Sequence, residues 1–256
     1  MPPTDASAGT GPVPAHPDIA VSHAATTAPG NSPFGQFTVE DDDPDSEDTL
    51  ELCLPAQFVA LRAGETAGLL GRLATWGPVA TPVGSFQLMP VRLDQDLSLV
   101  HRWMNDPTVA EFWELAGPRN RTEDHLRAQL HGDGRSVPCL GVLDGVPMSY
   151  WEIYRADLDP LARHYPVRPH DTGIHLLVGD AADRGRGLGS ALLRAVADLI
   201  LDRRPTCARV VAEPDLRNTP SIAAFLSAGF RFAAEVDLPG KRAALMIRDR
   251  VLRDVL

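Results

Sequence analysis

Apolar positions recur along this chain with two different periods, and the places where the period changes divide it into elements. GSFQLMPVRL, from Gly84, alternates as a strand does, and the stretch from Asp94 to Asn105 then sets Leu97, Val100 and Met104 on one helical face. Asp94 is positioned to cap that helix and Pro107 to stop it. TVAEFWELAG follows, with Phe112 and Trp113 beside a turn, as core or lid packing or as the lining of a substrate tunnel. A second helix is expected from Thr122, as its cap, to His131, with Leu126 and Leu130 four apart. VPCLGVLD and VPMSYWEIYRA flank an Asp-Gly turn, which predicts a hairpin. The proline-broken insert DLDPLARHYPVRPHD reads as a loop.

Beyond it come a strand over 174–178, a helix over 188–201, a strand from Ala208 to Glu213 and a helix from Ser221 to Ala228. A Gly-Phe hinge at 229 and 230 leads to strands Phe232 to Val236 and Ala243 to Ile247, joined by a turn at Pro239 and Gly240. The order β, α, α, β, β, β, α, β, α, β, β describes an α/β fold of the α+β kind, built on one mixed sheet over residues 85–256.

Composition changes the picture at the N-terminus. Residues 1–48 are rich in Ala, Pro, Gly, Ser and Thr and end in the acidic run EDDDPDSED, so a disordered tail is expected there. Residues 49–84, including LELCLPAQFVALRAG, form a lead-in able to supply extra strands. With 34 acidic and 24 basic residues the formal charge is -10, which argues against a nucleic-acid surface. Cys53, Cys139 and Cys207 lie far apart in no metal or redox spacing, and no His/Cys/Asp cluster argues for a metal. No apolar stretch is long enough to span a bilayer, and no basic region followed by an apolar one opens the chain. A cytoplasmic protein, monomeric in preference to dimeric, is the simplest expectation.

The chemistry concentrates in AADRGRGLGSALLRAVADLIL, residues 181–201. Glycines 185, 187 and 189 free the backbone to curl, so that its N–H groups can converge on phosphate oxygens at the positive end of the next helix. Arg184 and Arg186 add charge. The loop is neither a dinucleotide fingerprint nor a P-loop, because its spacing is R-x-x-G-x-G on Arg184, Gly187 and Gly189, it does not open the chain's first βαβ unit, and no Lys-Ser or Lys-Thr pair follows the glycines. Taken alone it is either a pyrophosphate site or a flexible basic turn. His175, on the strand feeding the loop, is either a base poised near pH 7 or a packed core residue.

With the loop at the centre of this element order, the chain resembles the GCN5-related N-acetyltransferases (GNAT). HRWMNDPTVAEFW, GVLDGVPMSYWEIYRAD, GIHLLVGD, RVVAEPDLRNTPSIAAFLSAGF and KRAALMIRDR narrow the resemblance to the siderophore branch, over roughly residues 86 to 250. That branch holds aerobactin-type N6-hydroxylysine acetyltransferases and mycobactin lysine N-acyltransferases. The resemblance implies transfer of an acetyl or longer acyl group from acyl-CoA, or from an acyl carrier protein, to a small-molecule amine or hydroxylamine. It implies His175 and Asp215 as the catalytic pair, the carboxylate orienting or charging the imidazole, with pinning of the loop before the next helix as the alternative role for Asp215. It further implies that Leu177, Val178, Arg184, Gly185, Arg186, Gly187, Leu188, Gly189 and Asn218 hold the cofactor. Val178 serves the pantetheine arm through its main chain and residues 184–189 serve the pyrophosphate. Trp113, Trp151, His170, Lys241 and Arg242 are candidates for the acceptor pocket. The aerobactin branch carries its aspartate two positions later, where this chain has Arg217. Another acceptor, such as an aminoglycoside, and a non-catalytic acyl-CoA-binding domain remain as alternatives.

Overall fold

A computed structural model of the chain describes residues 68–253. The expected tail over 1–48, and the lead-in as far as residue 67, lie outside the described residues. β1 (Val79–Thr81) pairs antiparallel with β2 (Gly84–Pro90), and β2 with β3 (Ser136–Leu143). β3 turns back into β4 (Val146–Arg155) at Asp144 and Gly145, whose φ values of 49° and 84° are those of the tight hairpin turn that Asp-Gly favours. β5 (Thr172–Val178), β6 (Arg209–Ala212), β7 (Arg231–Leu238) and β8 (Lys241–Asp249) complete an eight-stranded sheet in the order β1-β2-β3-β4-β5-β6-β8-β7. β5 and β6 run parallel; the other neighbours are antiparallel.

That parallel pair decides where the site lies. It is made only at Thr172–Val210 and Gly173–Val211, after which the strands part. β5 stays in register with β4 as far as Val178, and β6 stays paired with β8. The sheet therefore splits from Ile174 onward, and backbone groups of β5 that would have met β6 face a gap.

Helices cover both faces. On one, α4 (Leu188–Arg203) buries Leu192, Leu193, Val196, Ala197 and Ile200 against Phe86, Trp151, Ile153 and Ile174, each Leu, Val or Ile burial contributing about 1.5–3 kcal/mol. α5 (Thr219–Ser227) joins that layer through Phe225. On the opposite face α1 (Leu93–Met104), α2 (Pro107–Trp113) and α3 (Arg119–Leu130) pack Leu97, Val100, Trp103, Val109 and Leu126 over Leu140, Tyr150 and Leu177. The insert between β4 and β5, expected as a loop, winds into short 3₁₀ turns that lay Leu161 and Tyr165 over the far end of the sheet.

Three boundaries depart from the sequence reading. α1 begins at Leu93, one residue before Asp94, and its entry is tied by Asp96, which accepts from the Arg92 N–H at 2.7 Å. Pro107 starts a helix as well as ending one: its fixed φ and missing N–H suit a first turn, and Asp106 caps that turn by accepting from Thr108 and Val109. Thr122 is no cap, because α3 begins at Arg119; Thr122 is buried inside the helix, 3.2 Å from Nδ1 of His101.

Gly179, which ends β5, lies against the buried Trp103 ring so closely that a Cβ there would overlap the indole. Gly179→Ala is therefore expected to cost about 1–3 kcal/mol or more through overpacking, read as a lowered urea midpoint with unchanged slope.

Candidate active site

The split in the sheet opens into a cavity of about 430 Å³, a size typical of small-ligand sites. Ile174, His175 and Leu176 line one side; Ala212, Glu213 and Pro214 line the other. Strand alternation selects what points into it. Glu152 stands opposite His175 in the β4–β5 register, and Tyr154 opposite Gly173, so all three side chains of this stripe share the face covered by α2 and α3.

The His175 imidazole sits between two carboxylates. Its Nδ1 is 2.9 Å from Oε2 of Glu152 and its Nε2 is 2.5 Å from Oε1 of Glu213. Both carboxylates are buried and ionised carboxylates only accept, so the imidazole satisfies them together with both nitrogens protonated. Each is held by further donors. Tyr150 and Gln129 donate to Oε1 of Glu152 at 2.9 and 2.7 Å, and Nε2 of His125 lies 2.6 Å from the same oxygen. Tyr154 donates to Oε2 of Glu213 at 2.8 Å, and Nζ of Lys241 lies 3.6 Å from Oε1 while donating to the Glu213 carbonyl at 2.8 Å. The Tyr154 ring lies tilted against the imidazole, 4.8 Å between centroids, and Trp113 meets it edge-on at 6.1 Å.

Burial of His175 works against its charged form, but the Glu213 charge and the hydrogen bonds to Glu152 and Glu213 overcome this and raise its pKa to about 10. In turn burial would raise Glu213, yet the imidazolium charge and hydrogen bond, with Lys241, lower it to about 2. Glu152 is likewise held well below the usual carboxylate range, burial being outweighed by the two histidines. A histidine expected to be neutral near pH 7 is thus an imidazolium in the free site.

Of the two roles open to Asp215, its contacts are those of the loop-pinning one. It lines the cavity but binds its own loop, gripping Arg217 through Nε–Oδ1 and Nη2–Oδ2 contacts of 3.0 and 2.8 Å and accepting from the Arg217 N–H. The role of orienting or charging the imidazole falls geometrically to Glu152 and Glu213. Both are readable in hindsight as lone acidic residues: one on the Tyr150–Tyr154 stripe of an otherwise buried strand, the other two places before Asp215.

Of the acceptor-pocket candidates, Trp113 and Lys241 line the cavity. Trp151 points to the opposite face, fully buried against Phe86, its indole donating to Ser149 at 2.9 Å. Arg242, next to Lys241 on β8, points away by the same alternation and pairs with Glu235 and Asp237 at the surface. His170 lies outside the cavity lining, in a left-handed turn at φ 66°, with its N–H on Asp157.

The glycine loop follows β5 directly. Gly185 and Gly187 have φ values of 73° and 77°, which side chains resist, and Gly187 is the N-cap of α4, with no side chain capping the helix. A Cβ at 185, 187 or 189 would meet no protein atom within 4 Å, so the space before these N–H groups is open. Free N–H groups, helix dipole and open space fit an anion. Leu188 begins the helix and packs against the α4-side core. Arg186 is exposed beside Asp183. Arg184 turns inward instead: it donates to the carbonyls of Val178 and Gly179 and pairs with Asp106 at 2.8 Å. The Val178 carbonyl, expected for a ligand, is thereby occupied, and the Leu177 side chain belongs to the core under α1. Asn218 borders the cavity and caps α5, accepting from the Ser221 N–H at 3.1 Å.

Residues 92–238 match the family model of the acetyltransferase (GNAT) domain. The lysine N-acyltransferase MbtK of Mycolicibacterium paratuberculosis is 38% identical over 169 residues, 66% of this chain and 76% of that one. The N(6)-hydroxylysine O-acetyltransferase of Escherichia coli is 38% identical over 149 residues, 58% of this chain and 47% of that one, so the chain spans about half of that relative. A solved structure of the aminoglycoside acetyltransferase AAC(6')-Ib with acetyl-CoA is 25% identical, with a TM-score of 0.56 over 66% of this chain and 94% of that one. Among the described residues no helix is long and apolar enough to cross a membrane.

The raised His175 pKa carries a stability prediction with a definite sign. Above the unfolded value of about 6.5 the folded state holds the extra proton. The stabilisation is therefore complete below that pH and lost as pH rises toward about 10. Melting temperature is expected to fall from pH 7 to pH 10, and His175→Asn to flatten that slope.

Proposed function

The chain belongs to the GNAT acetyltransferase family, and on that premise we propose that it is a siderophore-pathway N-acyltransferase moving an acyl group from acyl-CoA to the terminal amine of lysine. The observation that carries the choice of acceptor is the charge of the cavity around His175. Four carboxylates line the cavity, Glu114, Glu152, Glu213 and Asp215, against the His175 imidazolium and Lys241, an excess of negative charge among the lining residues that attracts an ammonium group. The amine of lysine is cationic at pH 7. The hydroxylamine of N6-hydroxylysine is neutral, and the same cavity offers it less. The names of the relatives support an acceptor of this class, and donor alternatives are a longer acyl-CoA or the same thioester on a carrier protein.

In this reading the pyrophosphate docks on the N–H groups of residues 185–189 at the start of α4. Arg186 supplements them from the surface, and the acyl arm runs along the open side of β5 toward His175. Arg184 acts indirectly, fixing the end of β5 and the loop to Asp106. His175 is the group that takes the proton of the attacking nitrogen, Glu152 fixes its ring through Nδ1, and Trp113 walls the acceptor channel. Asp215 shapes the loop before α5.

A thiol-release assay with acetyl-, succinyl- and long-chain acyl-CoA against lysine, N6-hydroxylysine, N5-hydroxyornithine and N-hydroxycadaverine tests the assignment. Lysine is expected to give the highest kcat/KM, and kanamycin none. His175→Ala is expected to lower kcat at least a hundredfold with little change in acyl-CoA KM. Wild-type turnover in that variant would end the assignment of His175. Gly187→Val is expected to raise the acyl-CoA KM more than tenfold, Arg186→Ala only a fewfold, since its charge supplements backbone donors.

A further inference from the structure

We propose that Glu213 is the carboxylate that receives the acceptor's ammonium group, and that in doing so it gives up His175, whose Nε2 proton then leaves to solvent. This deepens, and rests on, the reading of a cationic amine acceptor. The need for it is chemical. An amine must lose a proton before it attacks a thioester, and an imidazole with both nitrogens already protonated cannot take one. In the free site both nitrogens are occupied, Nδ1 by Glu152 and Nε2 by Glu213.

The two carboxylates are not equivalent. Glu152 is fixed by Tyr150, Gln129 and His125, all from strands or helices packed behind it. Glu213 follows the end of β6 at the mouth of the split, with Tyr154 holding Oε2 and with Oε1 given to His175. Lys241 offsets part of the Glu213 charge without occupying Oε1, because its Nζ is 3.6 Å away, beyond hydrogen-bond reach, and donates to the Glu213 carbonyl. An ammonium entering the cavity therefore finds one carboxylate oxygen whose present partner is a removable proton.

Other titratable groups about His175 are Asp159 from the insert, whose carboxyl feels the imidazolium charge, and His125 from α3. Asp215 and Glu114 border the same cavity. Most of these carboxylates favour a cation in the cavity, and none reaches the imidazole in place of Glu213. The raised pKa of His175 measures the Glu213 contact in part, and it drops once that contact is exchanged.

The cycle balances. Binding exchanges the Nε2 proton for the ammonium, one H⁺ going to solvent. The neutral ring keeps Nδ1–H on Glu152 and takes a proton from the ammonium at Nε2. The amine nitrogen then bonds to the thioester carbonyl carbon and the C–S bond breaks. The sulfur receives the Nε2 proton, and the nitrogen's surplus proton returns the ring to its starting state on Glu213. Overall, R–NH₃⁺ and acyl-S-CoA give R–NH–acyl, HS-CoA and H⁺.

Calorimetric titration of lysine into the full chain at pH 8, in buffers of different ionisation enthalpy, reads the released proton. The wild type is expected to release close to one proton per lysine bound, and Glu213→Gln well under half. Over pH 7 to 9 the lysine KM of the wild type is expected to fall about tenfold per pH unit, while that of Glu213→Gln changes less than twofold. Nitrogen-15 signals of the His175 ring in the wild type make the test independent of how the variant folds: protonated at pH 8 alone, neutral at Nε2 with lysine added. Turnover of lysine without proton release, or a ring still doubly protonated in its presence, overturns the role of Glu213 and leaves the acceptor assignment standing. Turnover of a different amine overturns the acceptor assignment, and the same titration with that amine then decides for or against Glu213.

Discussion

The parting of β5 from β6 after two paired residues is the constraint on which the molecule depends. A sheet that stayed zipped would bury His175 between strands and satisfy every backbone group. Because it opens, the two strand ends diverge around a cavity, and side chains that alternation would otherwise hide in a core become its walls. Helices on both faces hold the gap open: α4 supports β5 from below through a continuous apolar layer, and the α1–α3 layer covers the other face up to the rim.

The ends of the gap are mechanically joined. Asp106 caps α2, the helix that carries Trp113, and also pairs with Arg184, the first residue of the glycine loop. Arg184 in turn holds the carbonyls of Val178 and Gly179. One arginine thus ties the helix that carries Trp113, the end of β5 and the glycine loop to each other, a structural role that a further surface charge beside Arg186 would not supply. The Arg184 contact holds the Asp106 carboxyl below its ordinary range, so the tie stays ionised at neutral pH.

Electrostatics at the centre follow from geometry more than from composition. A chain with an excess of acidic residues does not by itself make an acidic pocket, since surface charge is screened within about 10 Å. Here Glu152 and Glu213 are buried and fully hydrogen-bonded, the imidazolium lies between them, and Lys241 stands 3.6 Å from Glu213 at the cavity wall. Removing either carboxylate leaves the buried imidazole a single carboxylate partner, and removing the histidine leaves two buried carboxylates near each other, which is why these three residues act as a unit.

The sequence by itself determined most of the elements, their order and the glycine loop, though not the helix Pro107–Trp113, because these rest on local periodicity and on glycines whose backbone freedom is a property of the residue alone. It also singled out His175, and through its five motifs the family. Three things were settled only by the tertiary structure. Trp151 and Arg242, named as acceptor-pocket candidates, lie on strand faces turned away from the cavity, since a strand's two faces are distinguishable only once its neighbours are known. Pro107 was read as an end and is also a beginning, since a proline's missing N–H serves either purpose and Asp106 decides between them. The partners of His175 are Glu152, 23 residues away, and Glu213, 38 residues away, rather than Asp215. A two-residue difference along a chain is invisible to pattern, but at the end of β6 it separates a carboxylate aimed into the gap from one folded back onto its own loop.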